Sequence, residues 1–396
     1  MTRISAVLSI VAVGVLAVSF GCGEPTDSNG ENNNDNGESE SPFSAYFTYP
    51  QSGQPDTTIE DRLVELLDDT PEGEKIRGAF YTFSREDVAD AFIRASQRGV
   101  DVQMVLGNTN VFDNGDRWSA VDRFDEGLGD GLTICSEWDP QQQDEPRGGC
   151  MGDNIHHNKF VTISGLEDGT QDVVLQTSSN ITTAQLEQFN NMVMVREDAA
   201  LYEAFVSYWE DLQRDEETPD YNRFERGDDA TAAYFFPRSS GDPVLDALAQ
   251  VDCEQGGDLY LAVAFFTDNR TEVATELKQM DQQGCNVHAI TRERDRVGAP
   301  GDDVIDELSS GDIELAIFPE GDGTDYDIQL HSKYLAIDAE GGSLDEPVVW
   351  TGSHNYTWHA LRDNDEVLLK VRDRGLFEAF RDDWERLHSE AEPLHP

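Results

Sequence analysis

"IRGAFYTFSREDVADAFIRASQRGVDVQMVL", residues 76–106, and "LAVAFFTDNRTEVATELKQMDQQGCNVHAI", residues 261–290, are one stretch written twice. Ala79, Phe80, Thr82, Arg85, Val88, Ala89, Gln97, Gly99 and Val102 all recur 185 positions later without a gap. Each version opens on an apolar, β-rich run and passes into a stretch of helical period. It then stops at Gly99 or Gly284 and returns to a β-rich run. Strand, helix and strand over this length predict parallel neighbours joined by a covering helix. The likeness continues outward. "AYFTYP" (45–50) and "IEDRLVELLDD" return as "AYFFP" (233–237) and "PVLDALAQ". The amphipathic "LYEAFVSYWEDL" (201–212) returns as "LFEAFRDDWERL" (376–387). The sequence therefore predicts an α/β protein of two similar domains, residues 43–218 and 219–396. Each is expected to be a mainly parallel mixed sheet flanked by helices, the pair packed about a pseudo-twofold axis. The acidic, turn-rich segment from Asp215 to Asp229 marks the boundary.

Composition sets the surroundings. The 396 residues carry 80 acidic side chains against 28 basic ones, a formal charge of −52. Such a surface repels nucleic acid and anionic membranes, since it has no basic face to displace counterions from phosphates. It suits salty surroundings, where a shorter Debye length screens self-repulsion. The N-terminus reads as an export signal, residues 1–21: Arg3, then the apolar run Ile4–Phe20, too short for a membrane span. Gly21 and Cys22, followed at once by polar sequence, resemble the lipobox of bacterial lipoproteins, which implies a lipid anchor at Cys22 and residence at the cell envelope. Residues 22–42 lack apolar periodicity and read as a disordered acidic tether. Cys135, Cys150, Cys253 and Cys285 remain. In an exported protein they suit two disulfides with three possible connectivities. Cys135–Cys150 and Cys253–Cys285 are favoured because each closes a loop within one half.

Lysine is scarce, only Lys75, Lys159, Lys278, Lys333 and Lys370, so its placement carries information. "HHNKFVTIS" (156–164) and "HSKYLAID" (331–338) each put a lysine two residues after a histidine inside an apolar run. On a strand, residues i and i+2 share a face, so His157 and Lys159 lie together, as do His331 and Lys333. Asp338, an odd number of positions on, faces the other way on a regular strand. Downstream come "TSSN" with Ser178 and Asn180, and "GSHN" with Ser353 and Asn355, at 23 and 24 residues from the respective histidine.

H-x-K-x-x-x-x-D followed by G-S-x-N, complete in the second copy and partial in the first, resembles the phospholipase D superfamily. "NDE" (364–366) matches the family's N-x-E element, and the likeness spans nearly all of residues 43–396. The resemblance implies one active site between the copies and attack on phosphodiesters without a metal or other cofactor. One histidine forms a phosphohistidine, and the other protonates the leaving alkoxide and then activates water. The implied catalytic residues are His157, His331, Lys159, Lys333, Asp338 and Glu366. The implied phosphate ligands are Lys159, Lys333, Asn180, Asn355, Ser178 and Ser353. The chemistry is sound in its own right. Histidine serves as nucleophile and as acid–base near neutral pH, while ammonium and amide donors stabilise charge on the phosphoryl oxygens.

The first copy departs from the pattern. Ser164 stands in the place of the motif Asp, Thr177 in that of the Gly, and the counterpart of Glu366 falls at about Met192. His331 thus has Asp338 and Glu366 from its own motifs while His157 has no local carboxylate, which argues for His157 as nucleophile and His331 as acid. Residues 108–154, with Trp118, Trp138 and Arg147, form an insertion that suits a lid or a structural loop. Trp209 and Trp384, at matching repeat positions, read as core. Trp358 and His359 read as packing residues or pocket lining. The favoured activity is hydrolysis of a phospholipid headgroup ester beside a membrane. An extracellular endonuclease and a catalytically weak surface binding protein are the alternatives. Transfer of the cardiolipin synthase kind ranks third, since those enzymes carry membrane helices. Oligomeric state is left open.

Overall fold

The computed structural model describes residues 41–111, 116–136, 148–293, 299–319, 328–339, 342–344 and 346–394. The export signal, Cys22, the tether, Trp138 and Arg147 lie outside the described residues. Two mixed sheets carry the repeat. From edge to edge the first runs Phe43–Phe47, Asn191–Val195, Gln171–Thr177, Lys159–Gly165, Lys75–Phe80, Asp101–Leu106 and Leu132–Ile134. The last three strands are mutually parallel, and the others pair antiparallel. The second sheet repeats this order with Thr231–Phe235, Val367–Arg372, Val348–Gly352, Lys333–Asp338, Asp258–Val263, Asn286–Arg292 and Glu314–Phe318. It adds Arg223–Arg226 at one edge and Glu392–Pro393 at the other.

Local chemistry explains the element ends. The crossover helices Glu86–Gln97 and Thr271–Gln283 follow the two "AF" strands. The second ends on Gly284 at φ +111°, and Gly99 follows the first at φ +99°, a region that favours glycine. Asp198 and Asp373 cap the two long helices, Ala199–Gln213 and Arg374–Glu390, accepting from the backbone N–H of Leu201 and Leu376.

These long helices lie between the sheets in one central core. There Phe205 and Tyr208 meet Phe235, while Phe380 meets both Phe47 and Tyr334. The two tryptophans hold equivalent places. Trp209 Nε1 donates to the Gly78 carbonyl at 2.9 Å, and Trp384 Nε1 to the Leu261 carbonyl at 3.1 Å. Each sheet's outer face is covered by its own shorter helices over a separate core. Residues 41–396 form one compact unit. Disulfides join Cys135 to Cys150 and Cys253 to Cys285, with Cα separations of 4.5 and 5.0 Å. Among the described residues no helix is long and apolar enough to cross a membrane.

Candidate active site

The equivalent strands Lys159–Gly165 and Lys333–Asp338 begin at the line where the two copies meet, so the residues just before them face one another. The backbone N–H of His157 donates to the Asp365 carbonyl of the second copy, at 2.9 Å. That of His331 donates to the Phe189 carbonyl of the first, also at 2.9 Å. Each lysine folds back on its own histidine: Lys159 Nζ reaches the His157 carbonyl at 2.7 Å, and Lys333 Nζ the His331 carbonyl at 2.6 Å. All four side chains are buried.

The group behind each imidazole also comes from the opposite copy. His157 Nδ1 lies 2.9 Å from Glu366, and His331 Nδ1 lies 2.9 Å from Asn190 Oδ1. The Asn190 amide is oriented by its own partners: Nδ2 donates to the Gln185 and Gln188 carbonyls, and Oδ1 accepts from Ser178 Oγ at 3.0 Å. Ser353 Oγ makes the matching bond to Glu366 at 2.5 Å, and Asn364 Nδ2 donates to its other oxygen. An acceptor at Nδ1 fixes the tautomer of both rings and leaves Nε2 for chemistry.

Several sequence-based expectations change here. The counterpart of Glu366 is Asn190, not Met192. Met192 pairs with Thr177 as Leu368 pairs with Gly352, so the intervening turn shifts the repeat by one residue. Glu366 serves the first histidine, not the one in its own motif. Asp338 is not at the site: it ends the strand that Lys333 begins and binds Arg374 at 2.9 Å. Ser178 and Ser353 are committed to Asn190 and Glu366, behind the histidines. Asn180 and Asn355 are buried, and neither Oδ1 has a hydrogen-bond partner among the described residues.

The described end of the 108–154 insertion is a brace rather than a lid. The buried Asp365 carboxylate accepts backbone N–H bonds from Cys150, Met151 and Gly152. Asn154 meanwhile donates to Asn364. The disulfide-tied loop thereby holds the segment that carries Glu366. Cys135, Cys150, His156 and Asp365 bring ligand atoms within 4.8 Å of one another, but both sulfurs are committed to the disulfide. Trp358 is exposed, beside Arg362, and His359 binds Asp363. Neither is a core packing residue.

Two site residues gave no motif signal. Tyr81 sets its ring 5.2 Å from that of His157 and 5.4 Å from Lys159 Nζ. Arg292, buried at the end of its strand, adds a cation whose field reaches His331 and Lys333. Tyr81 lies inside the quoted repeat, and only the strand register places it beside a histidine.

Burial dominates the electrostatics. It holds His157 well below the ordinary imidazole range, helped by the charges of Lys159 and Lys333. His331 is held down by burial and by the same two lysines. Burial pushes Lys159 down to about 7, opposed by Glu366, and lowers Lys333 with help from Lys159. It pushes Glu366 up to about 8, opposed first by Lys159. Burial works against charge on both lysines and on Glu366, so an anion bound among them would favour the protonated lysines.

Known proteins share this two-copy fold. The family described as cardiolipin synthase, PLD-like domain, matches residues 63–213 and 255–388, once in each copy. A phosphatidylserine synthase structure from Haemophilus influenzae Rd KW20 superposes with a TM-score of 0.59 at 12% identity, covering 89% of each chain. A polyphosphate kinase from Porphyromonas gingivalis superposes with a TM-score of 0.56 at 14% identity, covering 87% of this chain and 50% of that one. At these identities the likeness is one of fold. A search of curated proteins finds no match by sequence. With two matched domains spanning most of its length and a composite histidine–lysine site between them, this chain belongs to the phospholipase D superfamily, in its cardiolipin synthase, PLD-like domain family.

Proposed function

We propose that the protein hydrolyses the headgroup ester of a phospholipid through a phosphohistidine intermediate. The observation that carries this reading is the exchange of partners between copies, which directs two histidines of fixed tautomer and two lysines into one buried site. His157 Nε2 attacks phosphorus, forming the P–N bond as the P–O bond to the leaving alcohol breaks. His331 takes up a proton on Nε2 as the substrate anion binds beside it, gives that proton to the leaving alcohol, then takes one from water as water displaces the histidine. The phosphohistidine carries positive charge on its ring, and Glu366 at Nδ1 stabilises it. His331, backed by a neutral amide, is the stronger acid once protonated. The motifs in the sequence predict the same roles from the opposite premise, a carboxylate behind His331. Lys159, Lys333, Asn180 and Asn355 are assigned to the phosphoryl oxygens.

Lipid is favoured over nucleic acid because a charge of −52 opposes a polyanionic polymer far more than a single phosphodiester. Export and lipid anchorage at Cys22, at the cell envelope, belong to the same proposal, for they bring the site to its substrate. Separate incubations with phosphatidylcholine and plasmid DNA, at low and molar salt, test the substrate class. Release of headgroup with intact plasmid is expected; nicked plasmid with intact lipid reverses the choice, and cleavage of neither points to a binding protein. Trapping with a labelled p-nitrophenyl phosphodiester tests the roles. His331→Ala should retain acid-labile label, because p-nitrophenolate leaves without a proton, and His157→Ala should have none. Label on His331 in the latter variant exchanges the two histidines.

A further inference from the structure

Cations in this chain are few and mostly committed to carboxylates, yet four gather in one concavity far along the second sheet from the histidines. A groove of about 460 Å³ beside the strands Arg223–Arg226, Thr231–Phe235 and Val367–Arg372 is lined by Arg226, Arg238, Lys370 and Arg372, with Phe224 and Asp229 among its other walls. Among the described residues none of the four cations has a carboxylate within 4.0 Å. Three lie over aromatic rings instead: Arg226 over Phe224 at 5.6 Å, Arg238 over Phe236 at 5.8 Å and Lys370 over Trp350 at 5.2 Å. Nε and Nη1 of Arg238 are buried with no acceptor among the described residues.

The cluster stands against its own repulsion. Lys370 is lowered from the ordinary lysine range by burial, then by Arg372 and Arg226. The acids near Arg238, Asp246 and Asp242, attract it at longer range. The first copy shows that the fold does not require this arrangement. There the equivalent of Lys370 is Met194, and Arg196 takes the place of Arg372. The groove beside Arg196, about 290 Å³, sets Arg62 and Arg196 against Glu65, Asp69 and Asp168. Arg196 thus lines a groove richer in carboxylates than in cations, whereas Arg372 lines a cationic, aromatic-walled one beside the strand Arg223–Arg226 that the first sheet lacks among the described residues.

We propose that this second-copy groove binds a phosphate group, separately from the catalytic site and whether or not that site cleaves lipid. Planar guanidinium groups and an ammonium around a concavity of this size suit the oxygens of a phosphate, free or on an acidic phospholipid. The test titrates inorganic phosphate into the full chain by calorimetry. Wild type is expected to show two sites. Lys370→Gln/Arg372→Gln should lose one of them and keep hydrolysis of a soluble phosphodiester. The exposed Arg226→Gln, which removes no packed stem, should weaken the same site roughly ten-fold. If the catalytic reading fails, wild type shows one site and the groove variant none. If the variants' isotherms equal that of wild type, the groove does not bind phosphate. Co-sedimentation with phosphatidylcholine vesicles, with and without phosphatidylglycerol, separates the sources. Loss of phosphatidylglycerol-dependent sedimentation in the variants assigns the headgroup, and phosphate binding without sedimentation assigns the free anion.

Discussion

Glu366 and Asn190 occupy the same place in the two copies, and the chemistry of their side chains separates two otherwise equivalent histidines. Glu366→Gln keeps the hydrogen bond but removes the charge that supports a phosphorylated ring, so kcat should fall by about 10²- to 10⁴-fold. It also removes the carboxylate that raises Lys159, whose pKa should drop further below about 7. A lysine lowered in the empty site and restored by a bound anion takes up a proton on binding. KM therefore rises with pH, and in Glu366→Gln that rise should start at lower pH. A KM profile superposable on wild type would break the link. Asn190→Asp should act oppositely on His331, raising its pKa and carrying the alkaline fall of kcat to higher pH. An unmoved limb in that variant means His331 is not the acid. Asp338→Asn removes a partly exposed ion pair with Arg374, so it should cost under about 1 kcal/mol of stability and leave kcat unchanged. A large loss of kcat would return Asp338 to the machinery. The His–Lys spacing was legible in the sequence because i and i+2 share a strand face. The exchanged partners were not, because contacts between copies leave no local periodicity.

At the scale of elements, strands and helices followed from period and punctuation, as in the helices that end at Gly99 and Gly284. The insertion before His157 has no such period, and its role rests on long-range bonds, Asp365 to the backbone of Cys150 and Gly152. Because this loop holds the segment bearing Glu366, opening the Cys135–Cys150 bridge should reach the site. Cys135→Ser/Cys150→Ser removes a constraint over a sequence separation of 15, worth roughly 3 kcal/mol by loop entropy. The expected result is a lower Tm together with a lower kcat at temperatures where the variant is still folded. Loss of Tm with unchanged kcat would make the loop purely structural.

For the whole molecule, charge sets the conditions under which the site exists. With −52 spread over the chain, the Debye length of about 10 Å at 0.1 M leaves much repulsion unscreened, and about 3 Å at 1 M removes most of it. Tm should therefore climb steadily with sodium chloride into the molar range; a flat or falling curve would mean the acidic surface is not a salt adaptation. The gross repeat made the two-copy architecture readable, while the way the long helices share one core emerged only from packing. That sharing has a consequence for symmetry. Two identical chains related by a true dyad must present the same side chain behind both histidines, two glutamates or two asparagines. Glu366 facing one ring and Asn190 facing the other is a difference that two identical chains cannot carry and one continuous chain can. Covalent linkage of the copies thus lets the two histidines differ in their surroundings, and under the proposed mechanism that difference separates the ring that would hold phosphorus from the ring that would move protons.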